Sequence, residues 1–410
     1  MSARWAALAA DPLTRVIVAI GITQIIGWGT TVYALGVLAQ PIAASQGWSF
    51  GVVFGGLTVA LLASGVVSLP VGRWIDRQGG RWVMCSGSLL AAASLALLSA
   101  MQSLVVYFIA WALIGVAMRM VLYDAAFVSL VQLAPARGRW AISLVTLFGG
   151  LASSLLWPIG AALETAYGWR VTLLVYAALN LCVCLPLHAI FLTPLRQPFE
   201  PAPTAAADVA HTTAAPPVLT DRQRRRAMWQ FSLTMAASGL VTGAIAVQMV
   251  SVLAGTGIAP QTAVALASVQ GVSQTLARLL DLVFGRRMHA VTLGRITLAL
   301  VATALVVLAV GGTGWVVAVV FVVVFGAANG LATIVRGAVP LALFGARGFG
   351  EMLGRLSIPI VVMNAAAPAL LAILVQTFGN GPAMGVLAVI AVLAWVSMES
   401  LAAWYGRVRG

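Results

Sequence analysis

Runs of about twenty apolar residues recur twelve times along this chain, and charge is almost confined to the gaps between them. A helix rises 1.5 Å per residue, so about twenty residues cross the roughly 30 Å hydrocarbon core of a bilayer. A soluble domain carries about 25% charged residues. Here 8% are charged and 61% are hydrophobic, with a mean hydropathy of +1.03. In lipid the backbone must satisfy its own polar groups, which leaves helices or a closed barrel. Runs of this length select helices, so the expectation is an all-α polytopic membrane protein.

The first six runs lie at 16–39, 50–73, 82–101, 104–130, 140–163 and 170–193. The second six lie at 228–253, 261–284, 291–311, 314–338, 354–377 and 382–404. All 23 basic residues are arginines and the net charge is +13. They are spread through short loops, so the charge does not point to nucleic acid. With the N-terminus inside, one side holds Arg4, Arg15, Arg73, Arg77, Arg81, Arg137, Arg139, Arg196, Arg222 to Arg226, Arg286, Arg287, Arg295, Arg347, Arg355, Arg407 and Arg409; the other holds Arg170. That bias predicts an N-in, C-in chain with an even number of spans. The first run begins near Val16 and is long enough to span, so no cleaved signal is expected. Cys85, Cys182 and Cys184 fall inside apolar runs and read as packing residues.

The pattern breaks between 194 and 227. Six prolines punctuate an Ala/Thr-rich stretch that ends in DRQRRR. Such a segment cannot bury a core and reads as a flexible cytoplasmic linker. Its arginine cluster reads as a topology anchor or a contact with anionic lipid. The expected domains are a six-helix bundle at 1–193, the linker at 194–227 and a second six-helix bundle at 228–410. The halves echo each other. Ala136-Arg137-Gly138 matches Ala346-Arg347-Gly348 at an offset of 210, which also carries Pro158 onto Pro368. Arg278 and Asp281 echo Arg73 and Asp76 at an offset of 205.

Between the second and third runs stands GRWIDRQGGR: Gly72, Arg73, Asp76, Arg77, Gly79 and Arg81. It reads as a tight charged turn: glycine permits close approach and positive φ, and aspartate caps or pairs. Its bland reading is an arginine-rich loop that fixes orientation. The spacing G-x-x-x-D-R-x-G-x-R, at this place in the chain, resembles the loop 2–3 signature of the major facilitator superfamily. The resemblance covers nearly all of the chain outside the linker. It implies twelve helices in two pseudo-symmetric six-helix bundles with substrate bound near the midplane. It implies that Asp76 and Arg77 help close the cytoplasmic side by docking one half on the other. Arg278 and Asp281 would be the second-half counterpart. The resemblance also implies a monomer.

Polar residues inside a span each cost a few kcal/mol unless paired or facing a cavity. The resemblance places the first, fourth, seventh and tenth helices around the cavity. Run 4 holds Arg119, Tyr123 and Asp124. In a continuous helix Arg119 and Tyr123 share a face. Arg119 is a candidate for attracting an anion, with Tyr123 orienting it; alternatively Arg119 and an acid such as Asp124 form an internal pair. Burial disfavours a charged Asp124 and Arg119 favours it, which makes Asp124 the proton-coupling candidate. Run 1 carries Gln24, Trp28 and Thr31 on one stripe, a cavity wall for an amphipathic solute or an ordinary buried face. Run 10 carries Asn329 and Thr333, the counterparts of Arg119 and Tyr123 at the offset of 210. Arg336 lies nearer the cytoplasmic end, as a gate residue or an anchor. Ser238, Thr242, Gln248, Gln270 and Gln274 are weaker candidates, because small polar residues often join helices.

Two departures bear on substrate. Organic-anion members of the superfamily often carry an arginine in the eighth helix, near the place of Ser273. Drug/proton antiporters carry a Gly-Pro-rich motif in the fifth, where Trp157 here precedes Pro158. No enzyme motif, metal site or cofactor site is read. The expected function is proton-driven alternating-access transport of a small organic anion or amphipathic metabolite across a bacterial inner membrane. The partners are the substrate, protons and membrane lipids. The close rival is proton-coupled efflux of neutral or cationic amphiphiles, with Asp124 as coupling acid. A non-transporting sensor that kept the fold is the reading from another class.

Overall fold

The structure is a computed structural model that describes residues 11–193, 219–254, 256–285, 288–312 and 314–409. The described residues are helical, with no strand among them. They divide into two units. The first comprises 11–193 together with Ala346–Arg355; the second comprises the remaining described residues. Most of the proline-rich linker, 194–218, lies outside the described residues, as do Arg4, Arg196, Arg286 and Arg287. The linker was expected to reach 227, but a helix already begins at Asp221. The arginine cluster DRQRRR is therefore its first turn and a half. Proline and small polar residues stop at Thr220, so nothing after it resists helix formation.

The first unit holds α1 (Pro12–Thr30), α2 (Leu35–Gln46), α3 (Phe50–Val66), α4 (Ser68–Gln78), α5 (Gly80–Ser99), α6 (Leu104–Val121), α7 (Tyr123–Leu133), α8 (Gly138–Gly150), α9 (Ala152–Leu179) and α10 (Leu185–Phe191). Polar residues start several of these helices by satisfying free N–H groups. Asp11 Oδ1 accepts from the Leu13 N–H (3.2 Å), and the hydroxyls of Ser49 and Ser103 accept from Val52 and Val106. α3 and α4 bend by 51°. Pro70, in the first turn of α4, has no N–H to continue the ladder. α9 turns at Gly168 (φ 78°, ψ 165°), which separates the fifth run from the sixth. Tyr107, Trp111, Ile114 and Phe127 fill the core.

The second unit holds α11 (Asp221–Ala254), α12 (Pro260–Phe284), α13 (Ala290–Val310), α14 (Trp315–Phe344), α15 (Phe349–Phe378) and α16 (Asn380–Arg409). The first turns of α15 group with the first unit and the rest with the second. Val241, Ile245, Leu305, Phe321, Phe325 and Leu387 pack its core.

Eight described helices are long and apolar enough to cross a membrane, or ten if each of two bent pairs counts as one span. One of the eight, Pro135–Phe191, is 57 residues long. That is roughly 85 Å of helix, so the break at Gly168 makes it two crossings. Large apolar side chains such as Val66, Val105, Ile190 and Val316 are more than three-fifths exposed. That exposure suits lipid, where it costs nothing. The chain is a multi-pass, all-α membrane protein.

A broken helix that buries an ion pair

The fourth run is not one helix. α6 ends at Val121 and α7 begins at Tyr123. Between them Leu122 is extended (φ −80°, ψ −167°). The break takes Arg119 and Tyr123 off a shared face. It brings the Arg119 guanidinium onto the Asp124 carboxylate instead. Arg119 is 5% exposed. Arg119 lies in the last turn of α6 and Asp124 in the first turn of α7. Each charge therefore sits at the helix end whose dipole favours it.

Gln24 on α1 supports the break. Its Nε2 donates to the Val121 carbonyl (2.8 Å), which the interrupted ladder leaves without its usual partner. Gln24 is fully buried, and among the described residues its Oε1 has no hydrogen-bond partner, nor has the indole N–H of Trp28. Aromatic rings gather beside the pair. Trp28 stands 5.0 Å from Tyr123, centroid to centroid, and 6.0 Å from Tyr33. Tyr123 stacks on Phe127 (5.3 Å), and Trp157 meets the edge of Tyr33 (6.0 Å). The Tyr123 hydroxyl donates to the Thr146 carbonyl (3.1 Å) and the Trp157 indole N–H to the Tyr33 carbonyl (3.1 Å). Thr31 does not join this group: it is fully buried and its hydroxyl donates to Gly27 O (2.6 Å).

The expected turn at Gly72–Arg81 is mostly helix. Residues 72–78 belong to α4, and the chain turns only at Gly79, with φ 82°. Gly72 serves close approach: a Cβ there would lie 2.1 Å from the Gly350 carbonyl oxygen. Asp76 Oδ1 and Oδ2 accept from the N–H groups of Gly350 (2.9 Å) and Glu351 (2.7 Å), in the first turn of α15. Arg73 pairs with Glu351 at 3.0 Å. Arg77 is exposed, and Arg81 lies over the Trp82 ring. The segment contacted is the part of α15 that belongs to the first unit.

The remaining candidates lie in the second unit. Arg278 is 3% exposed. Its Nε donates to the Gly330 carbonyl (3.2 Å) and its Nη2 to the Thr333 hydroxyl (3.3 Å). It thus pins α12 to α14. Asp281 is buried one turn on. Arg336 donates to the Ser357 hydroxyl (3.0 Å), and Asn329 is half-buried. α14 runs unbroken through the positions that correspond to Leu122, so the two halves differ where the ion pair stands.

Sequence reasoning passed over Asn180 and His188. Asn180 Nδ2 donates to the Thr30 hydroxyl (3.0 Å). His188 lies between the hydroxyls of Thr23 and Ser88, at 2.9 Å from each. A π-turn at Asn180–Cys184 makes both contacts possible. Thr23 and Thr30 are seven positions, or two α-turns, apart; Asn180 and His188 are eight positions apart, and the wider turn absorbs the extra one. Their signal was available: two strongly polar side chains within one span need partners.

A sequence profile of the Major Facilitator Superfamily matches residues 19–277. The chain belongs to this superfamily. No curated protein sequence matches it significantly. Its fold is similar to that of the human organic anion transporter MFSD10 (TETRAN), with a TM-score of 0.73 at 17% identity over 95% of this chain and all of that one. It is similar also to the transporter FucP in its outward conformation, with a TM-score of 0.69 at 11% identity over 96% of this chain and 99% of that one. The superfamily membership makes the chain one of a family of transporters, whose members act on small molecules from within a membrane.

Proposed function

We propose that the chain carries a small organic anion or amphipathic metabolite across a bacterial inner membrane, driven by the proton gradient through alternating access. The observation that carries this reading is the buried Arg119–Asp124 pair at the helix break. Buried charge is tolerated when its sum is zero. The pair sums to zero by itself. A proton on Asp124 leaves Arg119 with one positive charge, and a carboxylate of the substrate restores the balance. Proton and anion then enter together, which is symport. Tyr123, Trp28 and Gln24 would bind the organic part. Asp76, held on the first turn of α15, would be the contact that opens and closes on the cytoplasmic side.

Proton-coupled efflux of neutral or cationic amphiphiles is the second reading, favoured by the aromatic cluster of Trp28, Tyr33, Tyr123 and Trp157 beside an already neutral pair. A thermal-shift screen of the detergent-purified protein separates the two. A bound ligand raises apparent stability by mass action. Mono- and dicarboxylates should stabilise the wild type and lose their effect in Arg119→Ala. Stabilisation by amphipathic cations alone would hand the function to efflux. Binding without flux in proteoliposomes, for any ligand found, would mark a sensor.

A further inference from the structure

One end of the second unit carries a basic cavity that the proposed transport cycle does not use. α11 and α16 pack side by side there. Arg226, Ala227 and Gln230 on α11 and Ser400, Trp404 and Arg407 on α16 line a space of about 290 Å³. The spacings i, i+4 on α11 and i, i+4, i+7 on α16 put each set on one face of its helix. The volume equals that of roughly ten water molecules, room for a phosphodiester headgroup but not for acyl chains.

The chemistry of the lining is one-sided. Two guanidinium groups border the cavity and no carboxylate does. The nearest acid on α16, Glu399, is engaged by Arg295 at 2.8 Å and by the Trp395 indole. Arg226 and Arg407 are exposed, and Arg226 forms no ion pair or hydrogen bond among the described residues. The planar fork of arginine matches phosphate oxygens two at a time. Ser400 adds a neutral donor, and Gln230, whose Nε2 already donates to the Ser397 carbonyl (3.0 Å), holds α11 against α16 beside it. Tryptophan marks the depth. Trp404 lines the cavity, and Trp229, beside Gln230 in sequence, is 65% exposed. Indoles settle at the headgroup level of a bilayer. The arginine-rich ends of α11 and α16 therefore place the cavity where phosphates of lipid are densest. We infer that it binds the phosphate of an anionic membrane phospholipid, with its acyl chains lying outside along α11 and α16.

Native mass spectrometry and thermal shift of the full-length protein test this, with phosphatidylglycerol, phosphatidylcholine and inorganic phosphate as separate probes. The wild type should retain phosphatidylglycerol and gain stability from it. Arg226→Gln with Arg407→Gln should lower that retention about tenfold or more. Arg222→Gln with Arg225→Gln removes the same charge from the same end, outside the cavity, and should leave retention within about twofold. Arg407→Gln alone, near the end of α16, gives the readout if the double variant is not recovered folded. Equal loss in the two double variants, or equal retention of phosphatidylcholine, would overturn the site. An arginine-dependent shift from inorganic phosphate as large as that from phosphatidylglycerol would overturn its assignment to lipid.

Discussion

Asp124 stands five positions after Arg119, and in an unbroken helix that spacing turns two side chains about 140° apart. The pair exists because Leu122 leaves the helix. Both charges were legible in the sequence, because intramembrane charge is costly and conspicuous. The break was not, since Met120-Val121-Leu122 contains neither proline nor glycine. The i, i+5 spacing of two buried opposite charges was the available clue. Removing one partner strands the other. Asp124→Asn should destabilise the protein by roughly 3 kcal/mol, read as a fall in thermal unfolding midpoint in detergent. Asp124→Asn combined with Arg119→Gln should recover most of that loss. If the single change is silent, the pair contributes nothing to the fold. Gln24→Leu should also destabilise, by about 1 kcal/mol, because it takes a donor from the Val121 carbonyl.

At the scale of elements, the glycine-rich motif shows how a pattern can be recognised while its shape is misread. A turn over Gly72–Arg81 was the natural reading of three glycines with four charges. Helix α4 takes most of it, because Arg73, Trp74, Ile75 and Gln78 are ordinary helix residues and only Gly79 needs a left-handed φ. The polar contact was legible: Asp76 accepts from N–H groups in the first turn of α15. Asp76→Ala should speed amide hydrogen exchange at Gly350 and Glu351, and lower transport in proteoliposomes. Unchanged exchange would mean that other contacts hold this helix start. Gly72→Ala should act the same way, since its methyl group has no room beside Gly350 O. His188→Ala removes the bridge between α1 and α5 and should cost about 1–3 kcal/mol in unfolding experiments.

For the whole molecule, the apolar runs were enough to read an all-α, multi-pass chain, and the spacing of Gly72, Asp76, Arg77, Gly79 and Arg81 pointed to the Major Facilitator Superfamily. The solvent dictates the first of these, because lipid leaves a backbone few choices. Side-chain constellations were harder to read, since each depends on where a helix bends. Proton and anion binding together predict a pH dependence for the intact transporter. Under the proposed symport, anion affinity should rise as pH falls, because the proton that enters with the anion would take Asp124 away from Arg119; affinity that ignores pH would sink the symport reading. Affinity in Asp124→Asn should lose that dependence. The π-turn at Asn180–Cys184 bears on how the two halves are to be numbered against each other. Its counterpart α16 runs as α-helix from Asn380 to Arg409. Gly168 and Gly379, whose positive φ opens the last helix of each half, lie 211 apart, so the offset of 210 that joins Pro158 to Pro368 does not carry unchanged into these helices. Beyond Cys184 any pairing of the halves must skip one position, or every partner it names will point about 100° away from the residue it is meant to match.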